Sequence, residues 1–183
     1  MIDRSLHPNS RAMLNAWRRL AYPDHPGETH ADSIPTPADL LSHLFVLRRA
    51  RDGGWVFRNA GPNLSAVTGR VLHDRDFTDL WREGDRSRVS ALLASVIHEG
   101  EPGIIHGRGQ TLDRRTIGLE VSLAPLARSN DDPRPDRMLG LYQILGSPQA
   151  IGSQSLWIHA VEAIMPAARL VERQGPRLVV SNS

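Results

Sequence analysis

DRSRVSALLASVIHEGEPGIIHGRGQTLDRRTIGLEVSLA, residues 85–124, changes its hydrophobic period halfway along. Val89, Leu92, Leu93, Val96 and Ile97 fall at offsets of 0, 3, 4, 7 and 8, the stripe of an amphipathic helix, with Asp85 placed as its N-cap and Gly100 placed to end it. From Thr116 the period drops to two. Ile117, Leu119, Val121 and Leu123 alternate with Gly118, Glu120, Ser122 and Ala124, which predicts a strand with one buried and one wet face. Residues 104–111 are a further strand candidate, and Asp113-Arg114-Arg115 joins the two as a hairpin that lacks the usual glycine. A helix with one apolar face must lie on something, so Leu92 and Val96 should face Leu119 and Val121.

Upstream, residues 44–49 (LFVLRR) and 55–60 (WVFRNA) read as strands, and Asp52-Gly53-Gly54 between them supplies the positive backbone angles of a tight hairpin. Gly61-Pro62 breaks the second strand. Residues 63–68 then form a short helix closing at Gly69, and 76–81 a second helical piece holding Phe77, Leu80 and Trp81. A turn of helix covers 37–42, with Pro at its start. Residues 10–22 form another helix, capped by Asn9 or Ser10, with Met13, Leu14, Trp17, Leu20 and Ala21 on one stripe. Pro23, Pro26, Pro35 and Pro37 mark an irregular arm over 24–37. Downstream, Pro125 ends a strand, 129–136 is a turn, and 138–145 (MLGLYQIL) is a last strand. Within the extension beyond Gly146, residues 155–165 are either a helix or a strand, stopped by Pro166.

A chain of 183 residues with 40% hydrophobic and 23% charged residues suits one globular domain with extensions, and no repeat is visible. No apolar run approaches the roughly 20 residues of a membrane helix and no secretion signal opens the chain, so a cytoplasmic protein is expected. Cys 0 removes disulfides, thiolate metal sites and cysteine nucleophiles. The pI near 9.9 contrasts with a net charge of only +2, because all 22 basic residues are Arg and little titrates between His and Arg. The clusters Arg18-Arg19, Arg48-Arg49-Arg51 and Arg114-Arg115 are interleaved with acids, and aromatics total 5%, so no nucleic-acid partner is expected.

The order strand, strand, short helices, long helix, three strands resembles the PAS domain family. FRNAGPNLSAVTGRVLHDRDFTDLW (57–81) is similar to the second strand, glycine-rich break and short helices of that family, and DRSRVSALLASVIHEGEPGI (85–104) to its long helix and exit. TIGLEVSLAPL (116–126) and MLGLYQIL (138–145) resemble its last two strands, and HPNSRAMLNAWRRL (7–20) the N-terminal helix of a stand-alone bacterial subfamily. The resemblance implies an α+β fold: a five-stranded antiparallel sheet with short helices and one long helix on one face, plus an N-terminal helix. Residues 1–37 would be the helix and arm, 38–146 the sensor domain and 147–183 a C-terminal extension. It further implies a non-enzymatic sensory or regulatory protein that binds a small ligand or a protein partner. Its cavity, open or packed shut, would be lined by Phe57, Arg58, Leu64, Phe77, Leu80, Leu92, Val96, Leu119, Val121, Leu141 and Gln143. A homodimer pairing through Met13, Leu14, Trp17 and Leu20 is expected, because an isolated helix of about three turns must bury its stripe on something.

Specific chemistry is thinly supported. His25 and His30, with Asp24, Glu28 and Asp32 nearby, match no zinc spacing, and no metal site is expected. Haem-binding PAS domains take an axial histidine from the long helix or its exit, where His98 and His106 stand, yet a histidine at a helix end is more often a favourable C-terminal charge. No cofactor is assigned, and a flavin sensor of the cysteine-adduct type is excluded. Arg58 and Asn59 read more readily as backbone-bonding residues than as ligand readers. The rival reading is a small α+β enzyme using His73 or His106 with Asp74 or Glu120 as acid and base, which would need a buried polar pocket.

Overall fold

The computed structural model describes residues 6–22, 37–126 and 135–166, so most of the expected arm (24–37) and turn (129–136) lies outside them. The described residues build one sheet from β1 (Leu44–Arg49), β2 (Trp55–Ala60), β3 (Gly103–Gln110), β4 (Thr116–Leu126), β5 (Arg137–Leu145) and β6 (Ile158–Pro166). The order is β2-β1-β5-β4-β3-β6 with every neighbour antiparallel. The first five strands are those expected. The sixth resolves the open reading of 155–165 as a strand and carries the sheet past Gly146, where a separate extension was expected. It covers the edge that β3 would otherwise leave unpaired, running from Gln110↔Ile158 to Gly103↔Pro166 with a bulge at Glu162.

Turn chemistry follows local sequence. Gly53 adopts φ 90 in the β1–β2 hairpin, where the Ala50 amide donates to the Gly54 carbonyl at 2.9 Å. Arg114 takes glycine's place in the β3–β4 hairpin at φ 67, held there as the Thr111 amide bonds the Arg115 carbonyl at 3.0 Å and Thr111 Oγ1 accepts the Arg115 amide.

A short helix (Pro62–Thr68) and a 3-10 turn (Phe77–Leu80) precede the long helix; Asp76 caps the 3-10 turn by accepting the Thr78 amide at 2.7 Å. The long helix spans Glu83–Glu99 and ends at Gly100, φ 70. It starts earlier than expected, so Asp85 is not its cap: the Asp85 carboxylate accepts the Val161 amide at 2.9 Å and ties the helix start to β6. Its Val89, Leu92, Leu93 and Val96 enter a core with Leu119, Val121 and Leu123, as the pattern required. Gly103 lies beneath, where a Cβ would stand 2.7 Å from Leu92 Cδ1.

The N-terminal helix, Pro8–Ala21, lies on the sheet's other face. His7 rather than Asn9 or Ser10 caps it, accepting the Asn9 amide on Nδ1 at 3.2 Å. Met13, Leu14 and Trp17 are buried with Leu6, Ile104, Ala124 and Leu141, and Trp17 Nε1 donates to the Pro125 carbonyl at 2.6 Å. The expected pairing between subunits through Met13, Leu14 and Trp17 is therefore corrected: the apolar outer face of the protein's own sheet covers them, and of that stripe Leu20 is left outside, 84% exposed. The same docking corrects the expected wet face of β4, because Glu120, Ser122 and Ala124 are all buried under the helix.

Candidate functional site

The inner face, between the sheet and the helices Pro62–Thr68 and Glu83–Glu99, is the expected cavity. Phe57, Leu64, Phe77, Leu80, Leu92, Val96, Leu119 and Val121 do converge there, in one continuous core. Arg58 does not: β2 alternation turns it outward, and it is exposed. Leu141 and Gln143 are also corrected, since Met138 and Tyr142 are the β5 residues that enter the inner core. Leu141 packs under the N-terminal helix, and Gln143 Oε1 accepts Asn9 Nδ2 at 3.2 Å.

Aromatic rings fill this space. Phe45 and Phe57 have centroids 5.4 Å apart, Phe45 and Phe77 5.7 Å, and Phe77 and Trp81 6.2 Å. Gly140 makes room for the Phe45 ring, whose Cζ would lie 2.1 Å from a Cβ at that position. The chain of rings ends in a polar pair that sequence reasoning missed: the Tyr142 hydroxyl and His159 Nε2 are hydrogen-bonded at 2.9 Å, with Trp81 against His159 at 5.5 Å. Burial pushes the His159 imidazole down to about 4 and the Tyr142 phenol up, so both are neutral near pH 7. Trp81 Nε1, also buried, has no acceptor among the described residues.

A second polar group lies on the outer face, beneath the start of the N-terminal helix. Glu120 is 1% exposed; it accepts the His7 amide at 3.1 Å and meets His106 Nε2 at 2.7 Å. Burial alone would raise its carboxyl, but His106, Ser10 and the His7 amide together hold it below the ordinary range. Burial lowers the neighbouring His7, against the pull of Glu120. The structure thus brings together one proposed acid–base pair, His106 and Glu120. The other, His73 and Asp74, sits 3.4 Å apart on the surface with Arg48 bonded to Asp74 at 2.7 Å, and that hydrogen bond holds Asp74 below its usual value.

Neither His98 nor His106 reaches the inner core: His98 is exposed on the long helix and His106 belongs to the outer face. His25 and His30 lie outside the described residues, among which no group of three or more His, Asp or Glu is placed to hold a metal. Asn59 is exposed, and the Arg58 carbonyl bonds His73 Nδ1 at 2.7 Å. An open groove of about 720 Å³ runs between the β1–β2 hairpin, the 3-10 turn and the flank of the long helix. Trp55, Leu93 and Ile97 give it an apolar wall, with Asp76, Thr78 and His98 at its rim.

No helix among the described residues is long and apolar enough to cross a membrane. Comparison with curated proteins gave no match. Solved structures similar to this chain include the light-state LOV domain of the blue-light photoreceptor Aureochrome1, at 13% identity and TM-score 0.48, covering 66% of this chain and 94% of that one. The Rhodobacter sphaeroides LOV protein is 16% identical, with TM-score 0.46, covering 57% of this chain and 60% of its own. The PAS-B domain of Drosophila melanogaster Cycle with bound glycerol is 14% identical, with TM-score 0.44, covering 55% and 99%. A PAS domain family model matches residues 6–143, most of the chain, from the start of the N-terminal helix into β5. The chain belongs to the PAS domain family, a family of sensory and signalling modules.

Proposed function

We propose that this protein is a non-enzymatic, cytoplasmic regulatory module that relays a signal by binding a protein partner, its interior being closed by its own side chains. The observation that carries this reading is the inner core, where Phe45, Phe57, Phe77 and Trp81 pack ring against ring in the space between sheet and helices. A glycine at 140 accommodates one of those rings, which marks the space as occupied by the chain itself. The outer His106–Glu120 pair supports structure more than catalysis: Glu120 anchors the His7 amide and lies beneath a helix. Pairing of two copies through the N-terminal helix would have Leu20, Ala21 and Tyr22 at its disposal, since Met13, Leu14 and Trp17 are covered.

A second reading, small-molecule sensing, is favoured by one observation: the Trp81 indole N–H is buried with no acceptor among the described residues, as a donor to a small polar group would be. Native mass spectrometry and absorbance spectra of the freshly purified protein test the choice. The expected result is the mass of the bare chain and a protein-only spectrum. A mass-shifted or coloured species would establish ligand sensing and overturn the partner-binding reading.

A further inference from the structure

We propose that the surface around Trp157 is a docking site for an acidic segment of a partner protein. This deepens the partner-binding reading and rests on it. Trp157 is 55% exposed, whereas Trp17, Trp55 and Trp81 are buried. Its exposure is built in. Leu156 is fully buried beside Ile117 and Ile151, and its backbone amide donates to the Val67 carbonyl at 2.7 Å. The Trp157 amide donates to the Gln110 carbonyl at 2.7 Å. Gly109 leaves the space that Leu156 fills, since a Cβ there would stand 2.5 Å from Leu156 Cδ1. The indole is thus presented on a fixed platform.

Arg70 lies over it, and Arg82 bonds the strand residue that holds it. The Arg70 guanidinium lies 4.7 Å from the Trp157 ring centroid, fixed by hydrogen bonds to the Trp157 carbonyl at 2.5 Å and the Asp79 carbonyl at 3.4 Å. Arg82 reaches Gln110 Oε1 at 3.4 Å, and Gln110 is the residue whose carbonyl holds Trp157. Among the described residues the acceptors of both guanidiniums are neutral oxygens, whereas Arg48, Arg86, Arg108 and Arg115 each meet a carboxylate. Val71, beside Arg70, is 82% exposed and adds apolar area. A rigid indole with a guanidinium on its face, a second arginine bonded to a neutral oxygen and an exposed valine has the composition of an interface hot spot. Its complement is a segment with carboxylates around an apolar side chain. Nucleic acid fits less well, because a single stacking ring is offered and Arg86, Arg108 and Arg115, which a phosphate track would need, are each paired with an acid.

A fluorescein-labelled peptide, DDELFEDE, tests this on the full chain by anisotropy, with acrylamide quenching of tryptophan fluorescence as the second readout. Quenching reports chiefly on Trp157 because the other indoles are buried. The expected result is saturable binding that shields Trp157, weakened roughly tenfold or more by Trp157→Ala and by Arg70→Glu with Arg82→Glu, and retained in Arg70→Lys. Far-UV circular dichroism confirms that each variant is folded. No anisotropy change up to about 1 mM peptide overturns the proposal. So does tighter binding of an oligouridylate, which would make the surface a nucleic-acid site, or shielding of Trp157 that grows with protein concentration alone, which would assign it to a second copy. Peptide binding indifferent to all three substitutions would overturn this surface while leaving the partner-binding reading intact; a co-purifying small molecule would count against that reading and not against the surface.

Discussion

Acid should unfold this protein partly through one residue, His159. In the folded chain burial lowers the imidazole from 6.5 to about 4, the Arg70 charge adding to the effect. Above 6.5 the residue is neutral in both states and costs nothing. As pH falls below 6.5 the unfolded chain takes up a proton that the folded chain refuses, so stability drops, and the loss levels off below about 4 when the folded residue is protonated too. At 1.36 kcal/mol for each tenfold change in proton affinity, the loss across that window is about 3 kcal/mol, a large part of a domain's net stability. His7, also lowered, and Glu120, held low, tilt the curve in the same direction. The decisive comparison is therefore with His159→Gln, which keeps a side chain able to bond Tyr142 and removes the charge. Urea unfolding between about pH 7.5 and about pH 4, followed by fluorescence and circular dichroism, should show the parent losing about 3 kcal/mol more than the variant. Parallel curves would refute the argument, because they would mean that His159 protonates as easily in the folded protein as in the unfolded chain.

Gly140→Ala should destabilise by about 2 kcal/mol in thermal or urea unfolding, since its Cβ would overlap the Phe45 ring; in a Phe45→Leu background the same change should cost under about 1 kcal/mol. Leu92→Asp buries an unpaired carboxylate against β4 and should cost about 4 kcal/mol; an unchanged melting temperature would show that the long helix does not pack on the sheet. Trp17→Phe leaves the Pro125 carbonyl without its donor and should cost about 1–2 kcal/mol, with the mass by light scattering the same as the parent's; a change of oligomeric state would place Trp17 between subunits after all.

The long helix and β4 were legible because each shows its period within a dozen residues, and the Asp52-Gly53-Gly54 turn because its chemistry is local. What covers a strand is not local. Glu120 and Ser122 read as the wet face of β4 because the helix that buries them lies far upstream, and no pattern in 116–126 records it. In β5, MLGLYQIL is apolar on both faces, so its pattern leaves the parity open and allows Leu141 and Gln143 inside; Gly140, small beneath Phe45, is the clue that the sequence holds. Residues 158–166 hid their strand because the bulge at Glu162 interrupts the alternation, and with that strand went His159. Tyr142 could have been suspected as a polar ring amid apolar neighbours, but its partner is set by the pairing of β6 with β3.

The sheet's connectivity has a consequence for how the chain is born. β1 bonds β5, so Leu44 waits for Leu141, roughly a hundred residues later in synthesis. At about 5–20 residues per second, the β1–β2 hairpin spends on the order of 5–20 s with an open strand edge before its neighbour exists. The side of the Phe45 ring that meets Gly140 is uncovered for as long. Such an interval invites pairing with another nascent copy, a hazard that grows with the sequence distance between β1 and β5.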